Sequence, residues 1–123
     1  MKAAFIEKTG ETGVIQYGQL PDPDPAAGQV LVRVNAASVN PIDTYIRGGL
    51  VDMELPFPFI VGSDFSGIVE AVGEGVTQWK IGDRVWGANQ GGHGRQGTFA
   101  ELACMDEKWL HSTPEGVTDE DAA

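Results

Sequence analysis

The chain has almost no cysteine. Cys104 is the only one in 123 residues, so no internal disulfide can form and an oxidising compartment is not implied. Basic residues are also scarce. Lys and Arg total 8 against 18 Asp and Glu, for a formal net charge of -10. That balance repels nucleic-acid phosphates and anionic lipid heads, and no cluster of Lys and Arg offsets it. Neither a nucleic acid nor a membrane is therefore expected as a partner. Long hydrophobic runs are missing too. Leu55 to Val61 is short and interrupted by Pro56 and Pro58, far from the ~20 residues a membrane span needs. Glu7 and Lys8 break the N-terminus before a signal-peptide core can form, so a cytoplasmic location is the expectation.

Glycine, by contrast, is plentiful. It makes up 17 of the 123 residues, about twice the average usage of ~7%. Many tight turns follow, which suits β structure better than a helical bundle. The length is that of one domain, enough to bury roughly two-thirds of the surface of the unfolded chain.

Along the chain, Lys2 to Ile6 reads as a first strand and Val14 to Tyr17 as a second, joined in a hairpin by the turn Thr9 to Gly13. Pro21-Asp22-Pro23-Asp24-Pro25 is an extended connector. Gln29 to Ala37 alternates, with Val30, Val32, Val34 and Ala36 on one face. Asn40 to Gly48 carries the signals of a short helix: Asn40 as cap, Pro41 at the first position, Asp43 in the first turn and Gly48 or Gly49 at the end. Ile60 to Val72 reads as extended, kinked at Gly62 and Gly67. Arg84-Val85-Trp86 follows another turn, Gly91 to Gly97 reads as a loose mobile connection, and Thr98 to Cys104 as a strand that places Cys104 in phase with Ala100 and Leu102, a small buried hydrophobe. Thr118-Asp119-Glu120-Asp121 looks like a helix N-terminus with about one turn after it. One turn does not stand alone, so the natural protein is expected to continue beyond this piece.

Three segments carry a family pattern. They are Val39-Asn40-Pro41-Ile42-Asp43-Thr44-Tyr45-Ile46-Arg47-Gly48, then Gly62-Ser63-Asp64 through Gly73, then Lys80-Ile81-Gly82-Asp83-Arg84-Val85. In this order and spacing they resemble the N-terminal GroES-like catalytic domain of the medium-chain dehydrogenases and reductases. The branch most resembled is the zinc-free, zeta-crystallin-like quinone oxidoreductases. The resemblance implies a mainly β fold, a partly open antiparallel β-barrel with a few short helices. It also implies that residues 1–123 are the substrate domain, cut at the start of the helix leading to a Rossmann cofactor domain. No G-x-G-x-x-G that follows a strand and opens a helix is found in the chain; the glycines from Gly91 to Gly97 tempt one toward a phosphate cradle, but a strand is expected after them.

The zinc alcohol dehydrogenases of the family place a Cys where this chain has Asn40, a His at Ser63 and a Glu at Asp64, and carry four cysteines in the region of Val85 to Gly97. Asn and Ser replace such donors poorly, and His93, Cys104 and His111 fit no zinc spacing. No metal is expected. Without a Lewis acid, oxidising a plain alcohol is harder than reducing an already electrophilic quinone or enone, which asks mainly for alignment and a hydrogen bond to the developing oxyanion.

The resemblance thus implies a zinc-independent, NADPH-dependent reductase of quinones or α,β-unsaturated carbonyls, with NADPH held mainly by the missing domain and the parent a homodimer. The fragment alone is expected to be inactive. Asn40 and Tyr45 are the candidate catalytic and cofactor-binding residues, since the matching family positions line the cleft near the nicotinamide. Against this, Asn40 explains itself as a helix cap, and Tyr45 as packing with its hydroxyl in water. Asp43 and Arg47, at i and i+4, read as a surface pair, and Asp64 as a capping or turn residue, a lone acid with no visible partner for acid-base work. Trp79, Trp86 and Trp109 read as core or inter-domain contacts rather than stacking sites. Two rivals stay open: an alcohol dehydrogenase-like protein with a degenerate metal site, and a stand-alone GroES-like binding module without catalysis.

Overall fold

A computed structural model describes all 123 residues as two antiparallel sheets with two short helices. In the smaller sheet, β1 (Lys2–Ile6) is flanked by β2 (Gln16–Gln19) and β4 (Phe59–Ile60). The larger sheet is built around β3 (Gln29–Ser38) and β5 (Asp64–Val72), with β7 (Leu102–Asp106) outside β3 and β6 (Arg84–Gly87) and β8 (His111–Ser112) outside β5. The sheets do not close into a full barrel. No helix is long and apolar enough to cross a membrane.

The alternation expected of β3 is what seats it. Val30 and Val32 are fully buried and pack with Phe65, Val69, Val85, Ala103, Met105 and Leu110. β3 is paired on both edges, and Leu31, out of the alternation, is also partly covered. Two irregularities, at Leu31/Val32 and Val34/Ala36, break its register with β5. A second cluster, Ile6, Ile46, Phe59 and Val61, fastens α1 (Pro41–Gly48) to the smaller sheet through a single buried isoleucine.

The seam between the sheets is backbone against backbone. Ala4 N–H donates to Phe99 O (2.8 Å), Val61 N–H to Ala4 O (3.2 Å), Phe99 N–H to Val61 O (2.9 Å) and Gly97 N–H to Ile60 O (2.8 Å). A Cβ on Gly97 would lie 2.4 Å from Ile60 O and 2.5 Å from Gly62 O, so only glycine fits there.

This seam accounts for most departures from the sequence reading. The extended run 60–72 divides: Ile60 ends β4, Gly62 and Ser63 cross between sheets, and β5 begins at Asp64. The last long strand starts at Leu102 rather than Thr98, because Thr98 and Phe99 donate to Val61 O instead. Its phase is the reverse of that expected: Ala103 and Met105 face the core and Cys104 is partly buried on the other side. Gly91 to Gly97 is not a loose connection. Gly91, Gly92 and Gly97 are buried, and Gly94 N–H donates to Glu54 O at 3.0 Å. The second strand begins at Gln16, after a 3-10 turn at Thr12–Val14.

The C-terminal turn, α2 (Asp119–Ala122), is capped by Thr118 Oγ1, which accepts the Asp121 N–H at 3.1 Å. It is also pinned to the larger sheet. Asp119 accepts from Arg84 Nη2 (2.9 Å) and Asn35 Nδ2 (2.8 Å), and its carbonyl accepts from Ser66 Oγ (2.6 Å).

Candidate active site

The helix N-terminus and the start of β5 meet in a small polar lattice. Asn40 caps α1 in extended conformation, before Pro41. Asp43 completes a capping box: its Oδ2 accepts the Asn40 N–H at 2.8 Å, while the Asn40 side chain faces the Asp43 N–H without closing a regular bond. Asp43 Oδ1 accepts from Ser63 Oγ at 2.5 Å. Asp43 and Ser63 are both buried, 3% and 4% exposed, so each needs the other. Asp43 is therefore no surface partner of Arg47, contrary to the i, i+4 reading: the cap pulls its carboxylate inward.

Asp64 ties two segments together. Its Oδ2 accepts from Asn40 Nδ2 at 2.9 Å and its Oδ1 from Asn89 N–H at 2.9 Å. The segment after β6 is anchored alongside, through Gln90 N–H to Ser63 O at 2.9 Å. The second N–H of the Asn40 amide has only Ser38 Oγ, at 3.5 Å, the outer limit of a hydrogen bond.

Tyr45 lies farther along α1. It is 49% exposed and its hydroxyl bonds to nothing in the chain. Val39, Ile42 and Leu50 are exposed beside it in sequence, Leu50 at 78%. No hydrogen bond links Tyr45 to Asn40, so the two candidates share a helix rather than a network. A cavity of about 330 Å³ lined by Gln29, Ile60, Gln96, Cys104 and Met105 contains neither residue.

The other singled-out residues have structural partners. Trp79 Nε1 donates to Glu107 O at 3.0 Å and packs on the core. Trp86 lies against His111, with ring centroids 4.7 Å apart. Trp109 is half-exposed between the cations of Arg95 and Lys108, at 5.6 and 5.2 Å from its ring. Gly92, Gly94 and Gly97 have the spacing of a dinucleotide fingerprint, but β7 follows them, not a helix. His93, Cys104 and His111 do not converge, and no group of three or more His, Cys, Asp or Glu side chains does.

The alcohol dehydrogenase GroES-like domain family matches residues 26–115. The chain belongs to that family. Within it, the chain is 43% identical over 116 residues to a quinone oxidoreductase of Sus scrofa, covering 94% of this chain and 34% of the relative. The Escherichia coli quinone oxidoreductase, solved in complex with NADPH, superposes at a TM-score of 0.87 with 30% identity, over 99% of this chain and 36% of that one. An NAD-dependent alcohol dehydrogenase superposes at 0.90 with 31% identity, over 99% and 42%. The GroES-like domain described here thus spans about a third of the length of the curated relatives it matches. Its mainly β architecture and its place beside the quinone oxidoreductases agree with the sequence reading.

Proposed function

We propose that this domain forms the acceptor-side wall of a zinc-independent, NADPH-dependent reductase of quinones or α,β-unsaturated carbonyls. The observation that carries this reading is the Asn40 amide. One of its N–H groups is committed to Asp64 and the other has only a 3.5 Å neighbour. A donor held in place and nearly free is what a carbonyl oxygen gaining negative charge requires.

The donor set does not fit zinc. Asn40 and Ser63 are neutral, Ser63 Oγ already donates to Asp43, and both oxygens of Asp64 are engaged. Bound NADPH would supply a hydride to the acceptor. Within this chain, Asn40 would hydrogen-bond the acceptor oxygen, and the exposed Tyr45 ring would give a flat acceptor a wall, its free hydroxyl offering a second donor. The reading rests on the likeness to quinone oxidoreductases, one of them solved with NADPH.

The experiment is NADPH oxidation with a quinone or an enone by the enzyme carrying this domain, with the 123-residue chain as control. Turnover by the enzyme, none by the chain alone, and about a 100-fold loss of kcat/KM in Asn40→Ala are expected. Full activity of Asn40→Ala overturns the assignment. The superposition on an alcohol dehydrogenase keeps a second reading open, a zinc-type enzyme with altered ligands. Stoichiometric zinc by metal analysis, with alcohol oxidation, decides for it.

A further inference from the structure

We infer that Asp64 is a positioning residue that locks the Asn40 amide with its N–H groups toward Asp64 and the acceptor, so that the site selects an oxygen able to accept a hydrogen bond. The inference rests on the reading of Asn40 given above. An asparagine amide has two faces, one donating and one accepting, and free rotation would offer either. A carboxylate only accepts. Turning the Asn40 amide over would set its oxygen against Asp64 Oδ2, two acceptors with no proton between them, and leave that oxygen of Asp64 without its 2.9 Å donor.

Asp64 can impose this choice because it is held itself. Asn89 N–H fixes Oδ1 at 2.9 Å, Thr98 Oγ1 donates to the Asp64 carbonyl at 3.2 Å, and its backbone pairs with Ser38 in the β3–β5 ladder. Asn40 is fixed from the other side by Asp43, whose carboxylate takes the Asn40 backbone N–H. The two acids thus divide the work: Asp43 holds the main chain of Asn40 and Asp64 its side chain. The bond to Asp64 is charge-assisted, roughly twice as strong as a neutral one.

Two measurements test this. In the ¹⁵N-labelled chain, the two side-chain amide protons of Asn40 should be shifted from the values of a free asparagine and slow to exchange with solvent. In Asp64→Ala and Asp64→Asn they should move toward the values of a free asparagine, while the backbone spectrum stays dispersed. In the enzyme carrying this domain, Asp64→Asn should lower kcat about tenfold or more with little change in KM. In an Asn40→Ala background the same change should cost nothing further, because Asp64 acts only through Asn40. Unchanged Asn40 amide signals in both variants, or losses that multiply in the double variant, would overturn the inference. If Asn40→Ala alone keeps full activity, the role of Asn40 in reduction falls, and the amide spectra still decide whether Asp64 orients it.

Discussion

Cys104 shows how much one residue's surroundings decide its chemistry. Burial pushes its thiol up to about 11, and the nearby Asp24 carboxylate adds to the effect. The thiolate is the reactive form, so at pH 8 roughly one molecule in a thousand carries it. Alkylation by iodoacetamide at pH 8 should be tens of times slower than for free cysteine and should reach the free rate in urea. A native rate equal to the free one would mean that the thiol is not shielded. At this scale the sequence was readable in part. Asn40 as cap and the first-turn position of Asp43 follow from residue type and order. That Asp43 turns inward does not, because its partner Ser63 is 20 residues away and nothing local announces the pair. The Asn40–Asp64 bond spans 24 residues and is hidden for the same reason.

Among the elements, β5 is the one with least room. A Cβ on Gly67 would sit 2.1 Å from Arg33 O and 2.9 Å from Val32 Cγ1, on the neighbouring β3. Gly67→Ala should therefore push the two central strands apart and cost about 2–3 kcal/mol, read by urea unfolding as a lower midpoint with little change in slope. An unchanged midpoint would show that the ladder yields freely. Strands with strong alternation, such as β3, and the helix with its cap, proline and terminal Gly49 at φ 78°, declare themselves because the period and the caps are local. The segment 91–97 does not. Its glycines look like slack, and the sequence carries no sign that Gly97 lies flush against the Ile60 and Gly62 carbonyls.

For the whole molecule, acid is the informative variable. Hydrogen bonds from Arg84 and then Asn35 hold the Asp119 carboxyl below the usual range. A carboxyl lowered on folding stabilises the fold fully above its unfolded pKa of ~3.9, and that contribution is lost as pH falls through the lower folded value. The stability difference between the wild type and Asp119→Asn should thus be constant from pH 7 down to about 5 and close below about 4. A gap that persists unchanged into strong acid would mean that the charge of Asp119 is irrelevant to docking α2. Over the same range the net charge of -10 shrinks toward zero near the isoelectric point of 4.4, so self-repulsion eases before this clamp is released. The strand order of the larger sheet, β7-β3-β5-β6-β8, joins residues up to 77 apart, as in Gln29 and Asp106. Such pairings lie beyond any reading by periodicity, and only the family resemblance foresaw the architecture.

The exposed side of α1 stands apart from all these constraints. Ile42 and Tyr45, with Val39 and Leu50 just beyond its two ends, contribute nothing to the core clusters, and the Tyr45 hydroxyl answers to no partner. Ile46 and Asp43, on the buried side, keep the helix in place whatever stands opposite. Mutations on the outer side can therefore accumulate without passing through unfolded intermediates in sequence space. A face decoupled from stability in this way can change its chemistry one substitution at a time while the fold beneath it stays intact.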